Sequence, residues 1–142
     1  NIFEARKEAE VSDDKYFDCS NYKVLIVDDN ELNLKVAKRI LEKYNFQIQT
    51  LNSGKECIDL IKSGEDFDMV FLDHMMPGLD GIEVLHILKS LESYNIPPIV
   101  ALTANAITGM KEMYLNEGFD EYLSKPINIS DLNKLLEKYF KK

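Results

Sequence analysis

Three unbroken apolar runs constrain this chain more than any other feature: Val24-Leu25-Ile26-Val27, Met69-Val70-Phe71-Leu72 and Ile99-Val100-Ala101-Leu102. Four consecutive apolar residues, many of them β-branched, leave an extended strand no face for water. Such runs suit strands buried on both sides within a parallel sheet. Phe46-Gln47-Ile48-Gln49-Thr50-Leu51 alternates instead, as an edge strand with one wetter face would, and Glu121-Tyr122-Leu123-Ser124 is a shorter fifth candidate.

Helical spacing separates these runs. Residues 31–43 place Leu32, Val36, Ala37, Ile40 and Leu41 on one stripe. Ser53-Gly54-Lys55-Glu56 has capping-box spacing ahead of Cys57, Ile58 and Ile61, and Gly64 can end that helix. Asp80 reads as the N-cap of a third helix, with Glu83 three residues on. A fourth helix is predicted over 106–117, stopping at Gly118. Leu132, Leu135, Leu136 and Tyr139 give the last helix its apolar face. The predicted order βαβαβαβαβα is that of a doubly wound α/β domain with right-handed crossovers.

A chain of 142 residues suits one such domain rather than two. Residues 1–22 differ from the rest: six acids, three bases and no sustained apolar period. They are expected to be a linker or tail, helical in part, of a longer chain, with the domain over 23–142. The net charge of −8 argues against binding a nucleic acid backbone. No apolar run approaches the ~20 residues of a membrane span, so no membrane contact is expected. Cys19 and Cys57 are too few for a disulfide framework or a zinc site, which favours a reducing, cytoplasmic setting. The two histidines, His74 and His86, have no ligand-like companions.

In open parallel sheets, chemistry gathers at the carboxyl ends of the strands. Asp28 and Asp29 follow the first run here, Asp73 the third, Thr103 the fourth and Lys125 the fifth. Three carboxylates drawn together repel one another, and a hard divalent cation such as Mg²⁺ resolves the conflict. A remaining carboxylate oxygen can then attack phosphorus, with Lys125 and the Thr103 hydroxyl stabilising the transferring group. Taken singly, each feature has a plain structural explanation, as a helix cap, a loop start or a turn. Four strand ends carrying complementary groups are much harder to explain that way.

The runs Val24-Leu25-Ile26-Val27-Asp28-Asp29-Asn30, Phe71-Leu72-Asp73-His74-Met75-Met76-Pro77-Gly78-Leu79-Asp80-Gly81, Ala101-Leu102-Thr103-Ala104-Asn105-Ala106 and Tyr122-Leu123-Ser124-Lys125-Pro126 resemble the receiver domain of two-component response regulators, over roughly residues 23–141. The resemblance implies a flavodoxin-like five-stranded sheet of order 2-1-3-4-5 flanked by five helices. It implies that Asp73 accepts a phosphoryl group from phosphohistidine. Asp28, Asp29, Asp73 and the Met75 carbonyl would hold Mg²⁺, and Thr103 and Lys125 would contact the phosphoryl group. Thr103 and Tyr122 would form the switch, acting on the face of the fourth helix, fifth strand and fifth helix, and Lys125-Pro126 would be cis. The partner implied is a histidine kinase or histidine phosphotransfer domain, and a dimer is compatible with the family.

Asp28-Asp29-Asn30-Glu31-Leu32-Asn33 and Ala101-Leu102-Thr103-Ala104-Asn105-Ala106 are most similar to receivers fused to histidine kinases. The acidic tail would then be a linker from an upstream kinase core. Met75 departs from the polar residue frequent in stand-alone regulators, which bears on hydrolysis of the phosphorylated form. Competing readings fit less well. A haloacid-dehalogenase-type phosphatase needs Asp-x-Asp-x-Thr after its first strand, a flavodoxin needs a Ser/Thr/Gly-rich phosphate loop there, and no P-loop is present. A phosphorylation-silent receiver acting as an interaction module is the remaining alternative; it would normally lack one of Asp73, Thr103 or Lys125.

Overall fold

The computed structural model describes residues 16–104 and 110–141. Five strands, β1 (Lys23–Val27), β2 (Gln47–Leu51), β3 (Met69–Asp73), β4 (Ile99–Thr103) and β5 (Glu121–Ser124), alternate with five helices, α1 (Glu31–Glu42), α2 (Gly54–Lys62), α3 (Gly81–Lys89), α4 (Met110–Glu117) and α5 (Ile129–Phe140). All pairings are parallel, and the sheet order is β2-β1-β3-β4-β5. The expected doubly wound architecture and strand order are both present. The expected helix over 106–117 is seen from Met110; positions 106–109 lie outside the described residues.

The apolar runs form the three central strands, in which every residue from Val24, Met69 and Ile99 onward is buried on both faces of the sheet. Side chains alternate across the sheet. Val24, Ile26, Met69, Phe71, Val100, Leu102 and Leu123 therefore meet α1 and α5 in one core. Leu25, Val27, Val70, Leu72, Ile99 and Ala101 meet α2, α3 and α4 in the other. Burying each such Leu, Ile or Val fully is worth about 1.5–3 kcal/mol. Edge strand β2 has no fully buried residue, in keeping with its alternating sequence.

Caps fix where the helices start. Ser53 accepts a hydrogen bond from the Glu56 N–H at 3.2 Å, and Asp80 from the Glu83 N–H at 2.9 Å. Asn30 caps α1 and Asn128 caps α5 in the same way.

Helix α1 departs from the predicted stripe. Leu34, Ala37 and Leu41 face the sheet, whereas Leu32 is 69% and Val36 44% exposed. The helix carries two apolar rows, at 34/37/41 and at 32/36/40, and periodicity alone could not say which one packs. Residues 16–22, at the end of the expected linker, lie against the domain. The Cys19 N–H donates to the Tyr44 carbonyl at 2.7 Å, the Tyr16 ring meets Tyr44 edge-on at 5.0 Å, and Tyr22 lies 4.5 Å from the Phe140 ring. Cys19 and Cys57 are both buried and unbridged, and burial pushes their thiols up to about 11 and about 12. No described helix is long and apolar enough to cross a membrane.

Candidate phosphoryl-transfer site

A parallel sheet brings all strand ends to one edge. Asp73 pairs in register with Leu102, and Thr103 with Ser124, so Asp73 and Thr103 at the ends of β3 and β4 sit together with the residues just after β1 and β5. Asp28, Asp29 and Asp73 each offer a carboxylate oxygen, and these atoms lie within 4.8 Å of one another. Asp28 and Asp73 are almost fully buried and Asp29 is exposed, so the cluster is walled by protein on one side and open to water on the other.

Asp28 and Asp29 are not used as helix caps, since Asn30 takes that position. Instead the Asn30 N–H donates to Asp28 Oδ1 at 2.9 Å, which fixes one oxygen and aims the other at the site. The Lys125 ammonium takes that second oxygen at 3.1 Å and Asp73 Oδ1 at 2.8 Å. One cation therefore bridges two carboxylates from strands β1 and β3. Strand alternation accounts for the meeting: Asp28, Asp73 and Lys125 continue the face of Val24, Phe71 and Leu123, towards α1 and α5. Thr103 continues the opposite face, that of Ile99 and Ala101, towards α4. Lys125-Pro126 is cis, and the Lys125 N–H donates to the Thr103 carbonyl at 2.7 Å.

The loop after Asp73 is equally fixed. The His74 N–H donates to the Leu102 carbonyl at 3.0 Å, and the Gly81 N–H to the His74 carbonyl at 2.8 Å. A Cβ at position 81 would collide with the Asp73 carbonyl and the His74 backbone, so only glycine lets α3 start this close to the acceptor strand. Met75 lies in this loop and is 72% exposed.

The electrostatics follow from the burial. Burial pushes the Asp73 carboxyl above its ordinary value; the hydrogen bond from Lys125 opposes this, and the charges of Asp28 and Asp29 add to it. For Lys125 burial favours the neutral amine, but the hydrogen bonds and charges of Asp73 and Asp28 outweigh it and hold the ammonium above its usual value. Three carboxylates against one ammonium leave a net negative, oxygen-rich cluster. That donor set fits a hard divalent cation that keeps some of its waters.

Thr103 is buried, and its Oγ1 accepts a hydrogen bond from the Tyr114 hydroxyl on α4 at 3.1 Å. Tyr122 is half-buried, its ring stacked on Tyr114 with centroids 5.5 Å apart. His74 and Tyr114 carried no signal in the sequence. His74 has no ligand-like companion in the sequence, and Tyr114 belongs to no motif there. Leu32 and Val36 share the predicted stripe with Ala37 and Leu41, yet they line an exposed pocket with Pro126 and Ile127, directly beside Asp28 and Lys125.

The sequence model of the response regulator receiver domain family matches residues 24–137. Aerobic respiration control sensor protein ArcB of Escherichia coli is 38% identical over 118 residues, which is 82% of this chain and 15% of that protein. The chain thus spans a small part of the length of such relatives. The receiver domain of the histidine kinase CKI1 from Arabidopsis thaliana, solved in complex with Mg²⁺, has a TM-score of 0.73 at 29% identity, covering 88% of this chain and 94% of that one. A further structure, that of the Saccharomyces cerevisiae histidine phosphotransfer protein Ypd1 with the receiver domain of its downstream response regulator Ssk1, matches with a TM-score of 0.72 at 29% identity over 83% of this chain and 88% of that one.

Proposed function

The chain belongs to the response regulator receiver domain family, and on that premise we propose that Asp73 takes a phosphoryl group from a phosphohistidine of a histidine kinase or histidine phosphotransfer domain. The single observation that carries the reading is the Lys125 ammonium held between the buried carboxylates of Asp73 and Asp28, with Asp29 open to solvent beside them. An Asp73 oxygen forms the bond to phosphorus, the phosphorus–nitrogen bond breaks, and the leaving imidazole keeps the electron pair. Lys125 compensates charge on the acceptor before transfer and on the phosphoryl oxygens after it, and the Thr103 hydroxyl donates to another of those oxygens. Asp28, Asp29, Asp73 and the Met75 carbonyl are the groups that would hold Mg²⁺. When bound, the ion supplies the positive charge that lets an anionic donor approach three carboxylates.

The apolar wedge of exposed Leu32, Val36 and Pro126 with half-buried Ile127, beside Asp28 and Lys125, gives a donor helix an apolar surface to dock against. Phosphorylation draws Thr103 towards Asp73 and frees room for Tyr122, altering the face of α4, β5 and α5. A groove on that face is lined by Lys111, Tyr122, Asp131, Lys134 and Lys138. The domain works in a cytoplasmic compartment, where the donor kinase meets it. A phosphorylation-silent module would have no need of the Asp73–Lys125–Asp28 arrangement. Incubation with acetyl phosphate and Mg²⁺ is expected to add one phosphoryl group per chain by intact mass. A chain left unchanged across varied pH, time and Mg²⁺ concentration would favour the silent module.

Metal binding has its own signature. Mg²⁺ binds the clustered carboxylates of the folded state and not the dispersed ones of the unfolded chain. At ten times Kd it therefore stabilises by RT ln 11, about 1.4 kcal/mol, or a few degrees in Tm. Asp29→Asn should raise Tm slightly without metal, since Asp29 is exposed and screened by water, and should remove most of the Mg²⁺ response. Thermal melts against a sodium chloride control of equal ionic strength check this. A parent protein moved no further by Mg²⁺ than by sodium would show that these acids bind no metal.

A further inference from the structure

Thr103 is tied to α4 by a side chain that the phosphoryl-transfer chemistry does not use. Tyr114 is fully buried, and its hydroxyl has two partners: it donates to Thr103 Oγ1 at 3.1 Å, and His74 Nδ1, in the residue directly after the acceptor, lies 2.5 Å away. The ring has little freedom. It stacks on Tyr122, meets His74 edge-on at 5.1 Å and meets Phe119 edge-on at 5.8 Å.

We propose that Tyr114 is a positioning residue for the reaction at Asp73: its hydroxyl holds Thr103 on the α4 side of the sheet in the unphosphorylated protein. This rests on the reading of Asp73 as the acceptor. Strand alternation sets the direction of the effect. Thr103 continues the face towards α4, while Asp28, Asp73 and Lys125 continue the opposite face. Tyr114 and a phosphoryl group on Asp73 thus compete for one small side chain from opposite sides.

His74 makes the release inexpensive. A buried hydroxyl left without a partner is costly. Tyr114 has a second partner in His74, so it keeps one hydrogen bond when Thr103 turns away. The same pair couples the loop after Asp73 to α4, and through the Tyr122 stack to the α4–β5–α5 face. Tyr114 is therefore a second aromatic contact between the site and that face, distinct from the Thr103–Tyr122 switch.

Tyr114→Phe keeps the stacked ring and deletes only the hydroxyl, so the test isolates the hydrogen bond. At saturating Mg²⁺ the variant is expected to bind beryllofluoride roughly three- to ten-fold more tightly than the parent, the size of one net hydrogen bond. Without beryllofluoride, the Thr103 methyl NMR resonance of the variant should move part-way to its position in the beryllofluoride-bound parent. In a Thr103→Val background, Tyr114→Phe should change the affinity no further. Unchanged or weaker binding in the single variant would overturn the proposal, as would an equal gain in the Thr103→Val background, which would trace the effect to packing. A parent that binds no beryllofluoride with Mg²⁺ would overturn the acceptor reading and this inference with it; a parent that binds while Tyr114→Phe leaves affinity unchanged would overturn this inference alone.

Discussion

Asp73→Asn is expected to abolish phosphoryl uptake and, in the same protein without metal, to raise the melting temperature at neutral pH. The first effect follows from removing the nucleophilic oxygen while keeping the shape of the side chain. The second follows from burial. Asp73 is 3% exposed, and burial, reinforced by the charges of Asp28 and Asp29, holds its carboxyl above the ordinary value against the pull of Lys125. A carboxyl whose folded-state pKa is raised contributes stability that is fully present below its unfolded value, near pH 4, and is lost as pH rises through the folded value. At pH 7 the ionised group is a liability that asparagine lacks, and the Asn oxygen can still accept from Lys125. Melts in chelator should therefore place the variant a few degrees above the parent at pH 7, with the gap closing towards pH 4. Added Mg²⁺ should shrink the gap at pH 7 by stabilising the parent more. A variant less stable than the parent at pH 7 would mean that the Lys125 bond to Asp73 outweighs burial.

Lys125→Met is expected to have the largest effect on stability of any substitution at the site. The ammonium lies 2.8 Å from Asp73 and 3.1 Å from Asp28, whose side chains are 4% and 1% exposed. Removing one partner of a buried ion pair leaves uncompensated charge, at a cost of about 3–5 kcal/mol. Here the open side at Asp29 lets water in, so the lower end of that range applies, or roughly 10 °C in Tm. Interactions with Asp73 and Asp28 hold the Lys125 pKa above its ordinary value. Its contribution is fully present below the unfolded value and fades only as pH rises through the folded one, so the loss in Lys125→Met should be flat from about pH 6 to about pH 9. Mg²⁺ should restore part of the stability, because it supplies charge to the same carboxylates. It should not restore the chemistry: labelling by acetyl phosphate should stay about 10²–10³-fold slower, the usual cost of losing one charge-stabilising donor. Labelling at the parent rate, or an unchanged Tm, would show that Lys125 is a surface lysine only.

The central strands were legible because their environment is uniform: β1, β3 and β4 are covered on both faces, and their sequences say so without a break. The site residues were legible for a related reason. Each ends a strand or directly follows one, so topology alone delivers Asp28, Asp29, Asp73, Thr103 and Lys125 to one edge. Helix α1 was only half legible, since its rows at 34/37/41 and 32/36/40 are both apolar and the sheet chooses between them. Leu32 and Val36, the exposed members of the second row, lie beside the site. Residues 16–22 read as acidic linker because their aromatic rings pack through non-local contacts with Tyr44 and Phe140, which no periodicity reports. His74 and Tyr114 were invisible for the same reason: forty positions apart in sequence, they meet only once α4 lies against the end of β4.

The most direct test of the account is to locate the added group. The parent protein, treated with acetyl phosphate and Mg²⁺, would be reduced with borohydride to trap the acyl phosphate, digested and sequenced by mass spectrometry. One modified position is expected, Asp73, within the peptide that carries Phe71-Leu72-Asp73-His74. Modification at Asp28, Asp29 or any other side chain, or no modification in a protein that still binds Mg²⁺, would contradict it.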